Sequence, residues 1–193
     1  MLGAQVAPCA PPSINTAPLR SSLGIMYETL DALRTVHLWA VPPLYDGELA
    51  LVLAETTPLH ESAELAPTYR FHMRLRESNI TVGEISLRIG NLPSLVVYYG
   101  HIGYHVDPPY RGRRFAARSC RLLFPLARAH GLDVLWITCN PDNWASRRTC
   151  ELAGGVLFDV VDIPPGNPLY RRGERQKCRY RFDLRNIEPL HLD

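Results

Sequence analysis

Residues 104–116 (YHVDPPYRGRRFA) combine the end of a strand, a turn and the start of a helix. Pro108 and Pro109 end the strand, because proline cannot donate to a central ladder. The next helix begins with backbone N–H groups that have no intrahelical partner, at the positive end of its dipole. Three arginines stand around Gly112: Arg111, Arg113 and Arg114. Helix N-termini of this kind bind anions, and a pyrophosphate fits the pattern.

The alternation of apolar and polar residue types predicts the strands that position this turn. Apolar and polar residues alternate over 69–76 and again over 84–89, which indicates two half-buried strands. The turn at 77–79 makes the pair a β-hairpin. We also predict a strand over 48–55 and a longer strand over 94–106.

The second half of the chain alternates helices and strands. An apolar stripe predicts a helix over 113–130, with Pro125 inside it and Gly131 as its end. The elements predicted after it are a buried strand at 134–139, a helix at 143–153 capped by Asn143, and strands at 156–163 and 177–184. This order predicts an α/β sheet of mixed direction with crossover helices in its centre.

The first residues of the chain differ in composition from the rest. Residues 1–23 are rich in Pro, Ala and Ser, which predicts a loose arm, and a helix is predicted over 24–38. We therefore divide the chain into an N-terminal arm with this helix, residues 1–40, and one folded domain, residues 41–193.

Composition restricts the class of protein. The formal net charge of +2 argues against a dedicated nucleic-acid binder, although 20 of the 21 basic residues are arginine and only Lys177 is lysine. The five cysteines are odd in number and lack CxxC spacing, which argues against a disulfide framework or a metal site and favours a cytoplasmic protein. We find neither a signal peptide nor a membrane-spanning segment.

Residues 111–116 (RGRRFA) resemble the pyrophosphate loop of GNAT acetyltransferases, which runs Arg/Gln-x-x-Gly-x-Gly/Ala. Arg111 matches the first position and Ala116 the last, whereas Arg114 stands where the family usually has glycine. Val106 and Pro108 resemble the family's strand end. The resemblance is strongest over residues 83–155, and segments such as GHIGY, ITCNPDN and KCRY are similar to a group of uncharacterised bacterial GNAT-like proteins.

This resemblance implies a GNAT-type α/β (α+β) fold, with a central mixed, mostly antiparallel sheet, splayed middle strands and flanking helices. It also implies acetyl-CoA as co-substrate, no metal, and direct attack of an amine on the thioester in a ternary complex. An N–H at the strand end would stabilise the thioester oxygen. The residues implied to bind acetyl-CoA are His105, Val106, Arg111, Gly112, Arg113, Arg114, Phe115, Ala116, Asn140 and Asn143.

The resemblance leaves open which residue takes the proton from the amine. Glu84 is the first candidate, since it lies on the polar face of a strand next to the splayed one, and His101 is the second, since histidine titrates near neutrality. An ion pair of Glu84 with Arg88 or Arg74, or a purely structural role for the histidines, is the alternative. The general acid stays unassigned: Cys150 stands where many relatives have tyrosine, and Tyr104 is a candidate.

The acceptor also stays open: we expect a small-molecule or peptide amine, with no membrane and no nucleic acid as partner, and leave a homodimer open. The arginine-rich run 171–181 is a solvated strand face, an acidic-substrate contact or an RNA patch, in that order of preference. Two alternatives to acetyl transfer are a non-catalytic CoA-binding or regulatory module, since fold does not fix function, and transfer of a longer acyl group.

Overall fold

Two antiparallel sheets form the frame of the protein in this computed structural model, which describes residues 33–59 and 66–192. The larger sheet has five strands in the order β1-β2-β3-β4-β5, and the smaller sheet has the order β6-β8-β7. The strands are β1 (Leu44–Asp46), β2 (Leu49–Thr57), β3 (Thr68–Leu75), β4 (Thr81–Arg88), β5 (Ile102–Val106), β6 (Val134–Cys139), β7 (Val156–Asp162) and β8 (Gln176–Asp183).

The helices lie in the connections between these strands. They are α1 (Phe115–Ala129), α2 (Trp144–Ala153) and the short α3 (Pro168–Arg171), with a π-helical turn at Leu95–Tyr99 and a 3-10 turn at Pro108–Tyr110. The predicted helices over 113–130 and 143–153 are thus confirmed, and Asn143 caps α2 by accepting from the Ser146 N–H at 3.0 Å. Strand β1 and helix α3 were not predicted, because each is too short to show a period.

The predicted hairpin is β3 and β4, which pair antiparallel. The side chains of Tyr69, Phe71 and Met73 lie in the core, as do Ile85 and Leu87 from the facing strand. The polar residues between them therefore share the outer face of the sheet. Strands predicted at 48–55, 134–139, 156–163 and 177–184 are also present within a few residues of their expected bounds.

The strand predicted over 94–106 is wrong in its first half. Residues 95–99 form the π-helical turn, and β5 begins only at Ile102. The turn allows Leu92 and Leu95 to be buried in a small cluster with Leu33, so tertiary packing overrides the β-propensity of this apolar run. Gly100 then redirects the chain with φ 71° and ψ 158°.

Helix α1 packs its apolar stripe into the main core, with Cys120, Leu123 and Ala127 fully buried. Pro125 lies inside the helix, and its carbonyl accepts from the Leu190 N–H at 2.9 Å, so the C-terminal segment covers this point. The helix ends before Gly131, which has φ 79°, as predicted.

The two sheets meet where β5 and β6 approach one another. The His101 N–H donates to the Trp136 carbonyl at 2.7 Å just before β5, but β5 and β6 form no ladder of their own. Because the two strands separate beyond this point, the predicted fold class with splayed middle strands is confirmed.

Residues 33–41 pack beside the larger sheet. The Trp39 ring stacks on the His130 ring with centroids 4.1 Å apart, and the backbone N–H of Trp39 donates to the Tyr69 hydroxyl at 2.9 Å. The predicted arm at 1–23 and most of the predicted helix at 24–38 lie outside the described residues. Within the described ranges, no helix is long and apolar enough to cross a membrane.

Candidate active site

The turn before α1 ends in a residue with left-handed backbone geometry. Arg114 is the N-cap residue, with φ 60° and ψ 19°, and its side chain makes no capping hydrogen bond. Since Arg118 N–H is the donor to the Arg114 carbonyl at 3.0 Å, the N–H groups of the three residues between them have no intrahelical acceptor. Gly112 has φ 83°, and a Cβ added there would meet nothing within 4 Å. The head of α1 thus presents backbone N–H groups without intrahelical acceptors, next to the open space at Gly112.

The three arginines of this turn point in different directions. Arg111 Nε donates to the Val106 carbonyl at 2.9 Å, which ties the turn to the end of β5. Arg113 donates to Glu48 at 3.1 Å and lies over the Phe115 ring, so it faces the β1–β2 turn. Arg114 faces the cavity described next.

A cavity of about 570 Å³, here called the loop cavity, lies between the end of β5, the head of α1 and helix α2. Eight of the ten residues implied to bind acetyl-CoA line it: His105, Val106, Arg111, Gly112, Arg114, Phe115, Ala116 and Asn143. Arg113 does not line it. Phe115 is buried, so it offers mainly its backbone.

A second cavity of about 250 Å³, the gap cavity, opens between the separated strands β5 and β6. Asn140, the tenth residue, lines it together with Asn143. Arg88 N–H donates to the His101 carbonyl at 2.8 Å and Asp107 N–H to the Val82 carbonyl at 2.9 Å. The odd-numbered residues of β5 therefore pair with β4, and the backbone groups of the even-numbered residues, Ile102, Tyr104 and Val106, face the gap.

Tyr104 stands where the loop cavity and the gap cavity meet. Its hydroxyl lies 2.8 Å from the Ser146 hydroxyl of α2, and burial raises the pKa of Tyr104 well above its usual value. Tyr104 therefore stays protonated near neutral pH and can donate a hydrogen bond.

Two cysteines lie behind Tyr104. A hydrogen bond to Cys139, together with burial, raises the pKa of the Cys150 thiol, so that side chain stays neutral and is buried in the core. The same contact lowers the pKa of Cys139, which lines the gap cavity.

A third cavity of about 490 Å³, the sheet cavity, lies on the outer face of β3, β4 and β5. Glu84, Ser86 and Arg88 line it from β4. Glu84 Oε1 lies 3.6 Å from His72 Nε2, and the alternative of an ion pair with Arg88 or Arg74 is not formed. The sheet cavity and the gap cavity share three lining residues, Arg88, Gly103 and Tyr104.

The two candidate histidines have different surroundings. His101 is fully buried, its Nδ1 accepts from the Trp136 N–H at 3.0 Å, and its Nε2 lies 3.0 Å from the Gly90 carbonyl. Burial lowers the pKa of His101 to about 4, so the ring is neutral with its proton on Nε2. None of the three cavities includes His101. His105 is exposed, 3.4 Å from Asp107, and borders the loop and sheet cavities.

Sequence reasoning missed several residues that line these cavities. The inner face of α2 contributes Ala145, Ser146, Thr149 and Leu152 to the loop cavity. Successive members of this set are one, three and three residues apart, which places them on one face of a helix that begins after the Asn143 cap. This spacing could have identified the face from the sequence. Arg88 was considered only as an ion-pair partner of Glu84, and its hydrogen bond to the Gly100 carbonyl could not be read from its strand parity.

Two sequence comparisons bear on the family. A family profile described as an acetyltransferase (GNAT) domain matches residues 23–156, which is more than half of the chain. A comparison with curated proteins gives no significant match.

Two solved structures with TM-scores above 0.5 share the fold. An acetyltransferase from Agrobacterium tumefaciens strain C58 has a TM-score of 0.53 and 18% identity, covering 77% of this chain and 98% of that chain. A putative ribosomal-protein-serine acetyltransferase from Vibrio cholerae has a TM-score of 0.52 and 13% identity, covering 73% and 97%. An acetyltransferase (GNAT family) from Bacillus anthracis has a TM-score of 0.46 and 22% identity, covering 60% and 66%.

Proposed function

The chain belongs to the GNAT acetyltransferase family, and on this premise we propose that it transfers the acetyl group of acetyl-CoA to an amine by direct attack in a ternary complex. The observation that carries the proposal is that Tyr104 borders all three cavities. The loop cavity offers hydrogen-bond donors for an anion, and the sheet cavity offers the Glu84 carboxylate as a base.

We assign the diphosphate of CoA to the head of α1. The free N–H groups after Arg114 and the dipole of a helix of 15 residues both favour an anion there. The open space over Gly112 lets a phosphate approach the backbone. Arg113 is bound to Glu48 and is left out of this assignment, whereas Arg111 and Arg114 supply charge at the cavity wall.

The pantetheine arm then runs along the free edge of β5 into the gap cavity. Its amides would pair with the even-numbered backbone groups of β5, as a neighbouring strand would. The Val106 carbonyl already accepts from Arg111, so the Val106 N–H is the group left to stabilise the thioester oxygen as it gains charge. Asn140 and Asn143 border the same gap and would hold the arm in place.

We assign the proton acceptor to Glu84. Its carboxylate lines the sheet cavity, which Tyr104 also borders, and His72 Nε2 lies 3.6 Å from it. A lysine-like amine, with an ordinary pKa of about 10.4, must lose a proton before it attacks. His101 is a weaker candidate, because both of its ring nitrogens are engaged by backbone groups.

The leaving thiolate needs a hydrogen-bond donor. We assign this role to Tyr104, which keeps its proton and stands between the gap cavity and α2. Ser146 can accept or donate in the pair with Tyr104, so it can hold the phenol while the sulfur receives the hydrogen bond. Cys150 lies in the core behind them.

A thiol-release assay with acetyl-CoA and a broad panel of amines tests the proposal. We expect turnover with at least one amine, and a fall of about 10²-fold or more at neutral pH for Glu84→Gln, as for loss of a general base. Glu55→Gln is the matched control, because it removes a carboxylate from the same sheet that is paired with Arg70 at 3.9 Å. Equal activity of Glu84→Gln and the parent would remove the assignment of the base. CoA binding without turnover of any amine would favour a non-catalytic module.

A further inference from the structure

We propose that the acceptor amine carries a carboxylate near its amino group, and that Arg88 binds this carboxylate. The inference rests on the acetyl transfer proposed above and names the class of acceptor. Two sources supply the same chemistry: the α-carboxylate of an amino acid, or an acidic side chain next to the amino terminus of a peptide.

Arg88 lies between the gap cavity, where acetyl-CoA is proposed to bind, and the sheet cavity, where the acceptor amine is proposed to bind. It is the last residue of β4, and it lines both the gap cavity and the sheet cavity. Its Nη1 donates to the Gly100 carbonyl at 3.1 Å, which anchors the side chain at the base of the gap. A guanidinium has five N–H donors, and among the described residues only the Gly100 carbonyl accepts from it.

No carboxylate in the described part of the chain lies within ion-pair distance of Arg88. The neighbouring charges on this face have partners, since Arg70 lies 3.9 Å from Glu55 and Glu84 lies 3.6 Å from His72. Burial and the nearby charge of Arg70 lower the pKa of Arg88, so its charge is held there at a cost. A half-buried cation without a counter-charge among the described residues favours an anionic ligand, and a carboxylate matches the planar guanidinium.

Gly103 leaves the guanidinium open to the sheet cavity. A Cβ at this position would lie 3.5 Å from Arg88 Nη1 and Nη2 and 3.4 Å from Ser86 Oγ. Those distances are ordinary contacts, so an alanine would fit the strand but would cover the donors. Because Tyr104 follows directly, a carboxylate held at Arg88 places the rest of the acceptor beside the gap and on the same strand face as Glu84.

Thiol release measured with matched pairs of acceptors tests the inference. One arm compares free amino acids with their amides, and the other compares the peptide amides Ser-Asp-Ala and Ser-Asn-Ala. We expect kcat/KM to favour the carboxylate in at least one arm by about tenfold or more, the range of a hydrogen bond to a charged group. The arm that shows the preference identifies the source.

Three variants connect that preference to Arg88. Arg88→Gln and Gly103→Ala should bring the ratio within each pair close to one, and Arg88→Lys should retain part of it. Arg76→Gln is the charge-matched control, because Arg76 bonds the Gly47 carbonyl at the far end of the sheet and should keep the full ratio. Calorimetric binding of CoA to each variant reports an intact fold and donor site.

The outcomes separate the inference from the proposed function. Turnover of neutral amines as efficient as that of their carboxylate partners, or a full preference in Arg88→Gln and Gly103→Ala, would overturn the role of Arg88 and leave acetyl transfer standing. Thiol release with no amine at all would instead overturn the proposed function and the inference with it.

Discussion

The Trp136 N–H donates to Nδ1 of His101 at 3.0 Å, so a side chain completes the contact between the two sheets. The His101 N–H returns to the Trp136 carbonyl at 2.7 Å. Beyond this reciprocal contact β5 and β6 separate, and the gap cavity begins. We therefore propose that His101 is a positioning residue, which fixes the base of the gap where the proposed pantetheine arm lies.

This contact makes stability depend on pH. Unfolded histidine binds a proton below about pH 6.5, whereas burial lowers the pKa of folded His101 to about 4. The unfolded state binds more protons between these values, so stability rises with pH through that window. The contribution of neutral His101 to the free energy of unfolding is fully present above pH 6.5. About 3 kcal/mol of it is lost as the pH falls through the folded pKa of about 4.

Urea unfolding of the parent and His101→Gln at pH 7.5, 6.5, 5.5 and 4.5 measures this effect. We expect the variant to be less stable at pH 7.5 and to lose less free energy of unfolding on acidification. The carboxylates contribute equally to the pH dependence of the parent and the variant, so the difference between the two reports on His101. His130→Gln tests a second histidine whose pKa is lowered to about 4 by burial. Parallel pH slopes in the parent and His101→Gln would contradict the assignment.

Gly100 and Gly112 provide a matched pair that tests the base of the gap. Both have positive φ, but a Cβ at Gly100 would lie 2.9 Å from the Thr138 nitrogen and 3.2 Å from the Trp136 carbonyl oxygen, whereas one at Gly112 meets open space. The φ and ψ of Gly100 also belong to a region open essentially to glycine alone. We expect Gly100→Ala to lower the free energy of unfolding by at least about 1 kcal/mol more than Gly112→Ala.

Denaturant midpoints of the two glycine variants measure that difference. Gly100→Ala should also weaken CoA binding, since the gap would shift with β6. Equal stability of the two variants would show that the close approach of Gly100 to β6 does not constrain the fold.

Arg114 adopts a conformation that costs a non-glycine residue about 1–2 kcal/mol. Arg114→Gly should therefore raise the free energy of unfolding by about 0.5–1 kcal/mol, after the greater flexibility of glycine in the unfolded chain is subtracted. Arg111→Gly is the control, because Arg111 has φ −67° and ψ 160° and gains nothing from glycine. The midpoint of thermal unfolding should rise in Arg114→Gly and fall in Arg111→Gly. A shift of the same sign in both variants would contradict the backbone geometry.

The sequence predicted the parts of the fold whose pattern is local. The alternation in β3 and β4, the Asn143 cap and the Gly131 stop each depend on neighbouring residues, and each is present. The residues at 95–99 (LVVYY) are types that favour strands, yet their structure depends on burial of Leu92 and Leu95 against residues far along the chain. A pattern of period two cannot report such a contact.

The site divides in the same way. The turn around Gly112 follows from a strand end, two prolines and a helix start, so its place beside the loop cavity could be predicted. The direction of Arg113 depends on Glu48, which is 65 residues away in the chain, and the buried state of His101 depends on Trp136. These contacts become known only once the two sheets are placed together.

Calorimetric titration of coenzyme A into the full chain tests the central claim most directly. We predict a dissociation constant between about 1 µM and 1 mM, the range of ordinary enzyme substrates. Ala116→Asp should weaken binding by about tenfold or more, since a carboxylate in the first turn suits the helix dipole but repels a diphosphate. Arg113→Gln should bind like the parent, because Arg113 faces Glu48. Absence of heat from the folded parent, or unchanged binding by Ala116→Asp, would contradict the claim that the head of α1 holds the diphosphate.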